Sequence, residues 1–406
     1  MKQTWRWFGP ADLVSIEDMR QAGVEGVVSA LHHRAPGEVW TLEEIRQRQT
    51  EIATFKDGTA SSLTWDVVES LPVSEAIKQQ KGPWREHLSA YTASLEALAD
   101  AGIEVVCYNF MPILDWTRTD LARRMPTGAT AMAFDAVDFA AYDMFILARS
   151  GAAEGFDPAI REAATARFST MSDGRQQQLA ETVTFGLPGA AQTLSLSDVR
   201  DLLALYGEIS AAQLRAHFID FLEAVVPTAE RLGLRLCCHP DDPPFPLLGL
   251  PRVVSTEADY RALMEAVASP ANGITLCSGS LGVRTDNDLP GMMQRLGEHV
   301  HFLHLRNVST QGGNGFCSFY EDEHLAGNTD MVALLAAVHQ EENRRREQGR
   351  SDWSIPLRPD HGQDILDDQG RKTQPGYPSI GRLKGLAELR GIWTALDHPD
   401  WGLQRL

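Results

Sequence analysis

Apolar positions along the chain fall into short, nearly continuous runs, and each run is followed by a longer stretch with helical spacing. The runs are residues 24–30 (VEGVVSA), 63–68, 103–109 (IEVVCYN), 234–238, 273–278 (GITLCS), 300–305 (VHFLHL) and 355–358. Helical patterns follow from Leu42, which Thr41 can cap, and over residues 84–101, 257–268, 289–298, 331–348 and 381–396. Strands that are apolar on both faces are buried on both sides, and alternation with helices makes them parallel. An eighth run, around residues 377–380, is very short. Together these units predict a single (β/α)8 barrel, a TIM barrel, across residues 1–406. A doubly wound sheet is the competing arrangement. It is disfavoured because the turn after residues 24–30 reads ALHHRAPGEVW and lacks a glycine-rich phosphate loop.

One connection is far longer than a crossover needs. Between Asn109 and Leu234, the segment from Arg118 reads mostly helical, through DAVDFAAYDMFILARS, PAIREAATARF and RQQQLAETVTFGL. It follows the carboxyl end of a strand, so it lies on the side where barrels place their chemistry. Residues 118–215 are therefore expected to form an insertion that covers the barrel mouth or makes a dimer interface, because its apolar faces need a partner.

Composition narrows the class. The chain has 406 residues and a formal charge of −18, which disfavours phosphate backbones and anionic membranes as partners. The start, MKQTWRWFGPADLVS, has no apolar core of a signal sequence. No run approaches the length of a membrane span. Five scattered cysteines do not form a disulfide framework. The sequence reads as a cytoplasmic protein with reduced thiols.

Chemistry is expected at the carboxyl ends of the strands. Reading only those positions collects His32 and His33, Glu69, Asn109, His239, Cys277, His304 with Arg306, and Arg358 with Asp360 and His361. Tyr377 follows in a PGYP turn. Taken singly, each has a structural explanation. Cys107 and Cys237 read as small buried hydrophobes, and Asp241 and Asp242 as a solvated turn. Taken together, His239, Cys277, His304 and Asp360 end four successive predicted strands, whose ends converge on the barrel axis. Two imidazoles, a thiolate and a carboxylate suit Mn²⁺, Fe²⁺, Co²⁺ or Zn²⁺ better than Ca²⁺. The residues alone support a metal-dependent barrel enzyme.

The segments ALHHRAPGEVW, VVESLPVSEAIK, NFMPILDWTRTDL, CCHPDDPPFPLLGLPRVVST, LCSGSLG, HLRNV, FYEDEHLAG, PLRPDHG and TQPGYPSIGRLKGLAELRG resemble those of the D-mannonate dehydratase family of xylose-isomerase-like barrels. The resemblance covers essentially the whole chain. It implies a hydro-lyase of hexuronate catabolism that removes the C2 proton and C3 hydroxyl of D-mannonate, giving 2-keto-3-deoxy-D-gluconate. It implies a divalent metal, Mn²⁺ or Fe²⁺ first, with Mg²⁺, Co²⁺ and Zn²⁺ as alternatives, and a homo-oligomer such as a dimer. Carried over by position, the metal ligands fall on His239, Cys277, His304 and Asp360, and the acid–base pair on His361 and Tyr377. His33, Glu69, Asn109, Arg306 and Arg358 are left to bind substrate: the arginines at its carboxylate, His33 and Glu69 at distal hydroxyls. Tyr320, Asp322 and Gln363 depart from the family pattern.

Overall fold

The structure, a computed structural model, describes residues 1–186, 194–313 and 315–399. Its strands, in chain order, are β1 (Lys2–Arg6), β2 (Gly26–Ser29), β3 (Thr64–Glu69), β4 (Val105–Tyr108), β5 (Asp120–Arg124), β6 (Thr130–Phe134), β7 (Arg235–Cys238), β8 (Asn272–Cys277), β9 (Val300–His304), β10 (Asn307–Gln311), β11 (Ser318–Asp322) and β12 (Pro356–Arg358). Eight of them close a parallel barrel in the order β1-β12-β9-β8-β7-β4-β3-β2. Val28, Val67, Val105, Cys107, Cys237 and Phe302 pack together as one buried cluster, so the two cysteines are core hydrophobes, as their surroundings predict.

Seven barrel strands lie where the apolar runs predict them. The eighth does not. Tyr377 sits in a turn after Gly376, whose φ is +80°, and Pro378 caps a helix over Ser379–Leu396. Proline has no N–H for a central ladder, so residues 377–380 cannot fill that place. The barrel is closed instead by β1, whose Gln3 pairs with Leu357 and whose Thr4 pairs with Gly26.

The coating helices are set by local signals. The helix Leu42–Ala53 starts at Thr41, whose hydroxyl accepts from the Glu44 N–H in a capping box. The helix Ala211–Leu232 ends at Gly233, with φ +73°, a conformation that glycine adopts without strain.

The insertion opens with a hairpin, β5 and β6, where helix was expected. β6 pairs antiparallel with β11, matching Phe319 with Phe134, and a four-stranded sheet β10-β11-β6-β5 results. Helices Ala136–Ala141, Pro158–Ser169, Asp173–Val183 and Leu196–Tyr206 follow. The predicted range 118–215 overlaps the first turn of the coating helix Ala211–Leu232, and its residues 187–193 lie outside the described residues. The apolar faces find partners within the chain. Phe134, Phe139, Leu179 and Val183 share a buried core with Phe245, after β7, and with Val308 and Phe319 of the post-β9 strands.

Candidate active site

Strand register assembles the centre. β8 and β9 pair Cys277 with His304, and β9 and β12 pair His304 with Arg358. These residues therefore stand side by side at one level of the barrel, and Asp360 follows Arg358 two residues on. The ligating atoms of His239, Cys277 and His304 all lie within 4.8 Å of one another. Asp360 Oδ2 is 3.7 Å from Cys277 Sγ. The donors suit a transition metal. His239 Nδ1–H donates to the Pro240 carbonyl at 2.7 Å, which fixes the tautomer and leaves Nε2 a lone pair. His304 Nε2 is 3.3 Å from Glu69 Oε2 but makes no hydrogen bond there, and stays buried and unpartnered. Two imidazoles, a thiol and a carboxylate fit Mn²⁺, Fe²⁺ or Zn²⁺ chemistry.

A ladder of alternating buried charges surrounds this cluster. Arg306 donates from Nε to Asp360 (2.5 Å), from Nη1 to Glu321 (2.7 Å) and from Nη2 to Asp242 (2.5 Å) and Ser280 (3.0 Å). Arg358 donates to both Glu69 oxygens, at 2.8 and 2.7 Å, and pairs with Asp360. Arg6 pairs with Glu69 from the other side. At the far end, Arg118 donates to Asp242 (2.7 Å) and Glu321 (2.6 Å). Burial opposes ionisation of Asp360, but Arg358, His361 and Arg306 outweigh it and hold the carboxyl well below its usual range.

Beside the ladder, His361 Nε2 lies 3.2 Å from the Tyr377 hydroxyl and Nδ1 lies 3.3 Å from Glu321 Oε1. Burial raises the Glu321 pKa, yet Arg306 and Arg118 prevail and keep it a carboxylate. A carboxylate only accepts, so Nδ1 carries the imidazole hydrogen and Nε2 accepts from the phenol. Burial lowers the His361 pKa and raises that of Tyr377, so both are neutral at pH 7.

The predicted site residues divide into two groups. His239, Cys277, His304, Asp360, His361 and Tyr377 come together. Glu69, Arg306 and Arg358 stand among them, but their charges are spent on one another: every N–H of Arg306 is already directed at Asp360, Glu321, Asp242 or Ser280. Asn109 is buried just past β4. His33 points away, with its side chain 57% exposed and its Nε2 3.0 Å from Glu44. Asp241 and Asp242 are buried rather than solvated. Asp241 accepts from the Val254 N–H and the Ser255 hydroxyl, while Asp242 anchors two arginines. Arg6, Arg118, Asp242 and Glu321 were missed by sequence reasoning. The available signals were an Asp pair placed directly after a strand-end histidine and the acidic FYEDEHL segment. The departures from the family pattern sit outside the donor cluster: Arg123 lies over the Tyr320 ring at 4.5 Å, Asp322 accepts from Ser309 at 2.6 Å, and Gln363 donates to the Glu321 carbonyl at 3.4 Å.

Nitrogen, sulfur and oxygen donors at the strand ends, next to a neutral imidazole–phenol pair, define a metal-dependent barrel enzyme that moves protons on a small oxygenated substrate. The family model for D-mannonate dehydratase (UxuA) matches residues 1–400. A mannonate dehydratase of Rhizobium meliloti is 54% identical over 403 residues, covering 99% of each chain. One from Chromohalobacter salexigens is 50% identical, covering 98% of this chain and 99% of its own. The crystal structure of mannonate dehydratase from Streptococcus suis serotype 2 superposes with a TM-score of 0.72 at 31% identity, covering 97% of this chain and 93% of that one. The chain belongs to the D-mannonate dehydratase family, and its activity is that of a hydro-lyase, mannonate dehydratase. No helix among the described residues is long and apolar enough to cross a membrane.

Proposed function

We propose that His239, Cys277, His304 and Asp360 hold a Mn²⁺ or Fe²⁺ ion, and that His361 and Tyr377 divide the proton transfers that turn D-mannonate into 2-keto-3-deoxy-D-gluconate. When bound, a divalent ion supplies Lewis-acid stabilisation of the charge that builds at the substrate carboxylate as the C2 proton leaves. His361 is the base. Glu321 holds its hydrogen on Nδ1, so Nε2 keeps its lone pair, which accepts from the Tyr377 hydroxyl here and takes the C2 proton once substrate displaces that contact; burial keeps the ring neutral. Tyr377 is the acid. Its phenol, kept protonated by burial, donates to the departing C3 hydroxyl. Arg306 and Arg358, committed to carboxylates on all sides, orient Asp360, Glu69 and Glu321 and leave the substrate carboxylate to other groups. The insertion is the cover of the mouth, a reading supported by its shared core with the loops after β7 and β9.

The observation that carries this reading is the 3.2 Å contact between His361 Nε2 and the Tyr377 hydroxyl at the edge of the donor cluster. The test is anaerobic reconstitution with Mn²⁺ or Fe²⁺ after chelation, then D-mannonate in deuterated buffer. The metal-loaded protein is expected to release the 2-keto-3-deoxy acid. If C2 exchange outpaces loss of water, Tyr377→Phe should keep exchange and lose dehydration, and His361→Asn should lose both. An epimerised or isomerised product overturns the elimination. Exchange that survives in His361→Asn and vanishes in Tyr377→Phe reverses the two roles.

A further inference from the structure

A cavity of about 270 Å³ opens on the β1–β3 side of the barrel mouth. That is near the lower end of the size range for small-molecule sites, roughly 300 Å³. Arg6, Ser70 and Trp40 from the barrel line it, as do Leu194 and Leu202 from the insertion. His32 also lines it. Both ring nitrogens of His32 are buried, and neither has a hydrogen-bond partner. Buried imidazole nitrogens are nearly always paired, and leaving one unpaired is unfavourable. Burial, reinforced by Arg6 and Arg48, puts the His32 pKa well below its ordinary value, so the ring is neutral and offers one donor and one acceptor. A hydroxyl group needs that combination.

Position links the imidazole to the reacting centre. Phe8 lies between His32 and Tyr377, with ring centroids 5.4 and 4.9 Å away respectively. The Arg6 guanidinium sits 5.1 Å from the Phe8 ring centroid and 5.9 Å from that of Tyr377. His32 is thus one aromatic ring removed from the proposed acid. A six-carbon acid engaged at C2 and C3 has a hydroxyl-bearing tail that must extend away from them. The cavity, with its mixture of apolar wall and hydrogen-bonding groups, is suited to such a tail.

We infer that His32, rather than its neighbour His33, binds the terminal hydroxyls of the sugar acid and sets the chain length that the site prefers. This rests on the proposed chemistry at His361 and Tyr377, because it orients the substrate from that pair. The test compares metal-loaded wild type, His32→Ala and His32→Gln on two acids. D-Mannonate is one. D-Lyxonate, the five-carbon acid with the same configuration at C2 to C4, is the other. His32→Ala should raise KM for D-mannonate roughly 5- to 100-fold, the range of a lost hydrogen bond to a buried group, with a smaller change in kcat. On D-lyxonate the same substitution should change KM less than threefold, which narrows the preference for the longer acid. Glutamine, which also offers a donor and an acceptor, should recover part of the D-mannonate KM. Equal KM increases on both acids, or no increase in either variant, overturns the assignment. The comparison is a ratio within an active enzyme. It can therefore fail while wild-type dehydration and the His361→Asn result still support the proposed chemistry.

Discussion

Replacing Arg118 by methionine tests whether the insertion supports His361, the proposed base. Arg118 is fully buried at the start of the insertion. It donates to Asp242 Oδ1 at 2.7 Å, to Asp242 Oδ2 at 3.2 Å and to Glu321 Oε1 at 2.6 Å. Its guanidinium lies 4.8 Å from the ring centroids of both Trp116 and Phe319. Methionine retains much of that packing and removes the charge. Breaking a buried ion pair at one partner is destabilising by about 3–5 kcal/mol, because the other charge is stranded. Here neither carboxylate is stranded outright, since Arg306 still reaches Asp242 at 2.5 Å and Glu321 at 2.7 Å. The expected loss is thus at the low end, about 3 kcal/mol. The second effect is local. Glu321 Oε1, the atom that Arg118 holds, also accepts from His361 Nδ1 at 3.3 Å, so its release loosens the ring proposed to take the C2 proton. A tenfold fall in kcat, about 1.4 kcal/mol in the barrier, is expected, with KM and metal content little changed. Urea unfolding and steady-state kinetics of Arg118→Met, Glu321→Gln and the double variant check both effects. Coupling above about 1 kcal/mol is expected in the double-mutant cycle. A stability loss under about 1 kcal/mol, or strictly additive effects on kcat, would show that the insertion only covers the site.

Three further outcomes follow from other parts of the molecule. Cys277→Ser should weaken metal binding at least tenfold in a competition assay with a chelator, because a hard hydroxyl replaces a soft thiolate; unchanged affinity would remove Cys277 from the ligand set. Gly381→Ala should lower both stability, by about 1–3 kcal/mol, and activity, since a Cβ there would meet the Gln363 carbonyl oxygen at 1.9 Å and push the Asp360–His361 loop away; full activity would mean that the loop moves without consequence. His301 sets a pH dependence. Its Nε2 faces the Pro270 carbonyl at 3.1 Å, its Nδ1 is buried without a partner, and burial drops its pKa from 6.5 to about 3. Above pH 6.5 folded and unfolded states are both neutral at this residue; below it only the unfolded chain takes the proton, so stability falls by about 1.4 kcal/mol per unit down to about pH 3. Urea midpoints at pH 7.5 and 5.5 should show a smaller drop for His301→Asn than for wild type, and equal drops would contradict it.

Much of the donor cluster was legible because a parallel barrel converts sequence position into spatial position. Once His239, Cys277, His304 and Asp360 are placed at strand ends, closure brings them together without any knowledge of side-chain packing. The same logic fails for one strand and for a set of charges. β1 is short and begins Lys2-Gln3, so it lacks the apolar run that marks the other strands, and the weak pattern at 377–380 mimics the missing one. Losing β1 also hid Arg6, which pairs with Glu69, and Phe8, which joins His32 to Tyr377. Asp242, Glu321 and Arg118 were hidden for a different reason. An acid or an arginine in a loop is solvated by default. It is buried only when its partner is supplied from elsewhere, here across 124 and 203 residues of chain, and local periodicity carries no trace of that. His32 and His33 show the finest limit. Strand-end reading brings the pair to the mouth, but which imidazole enters the cavity and which meets Glu44 depends on the path of the turn after β2. The donors follow from topology alone, while the groups packed around them depend on long-range pairing, which only the folded chain displays.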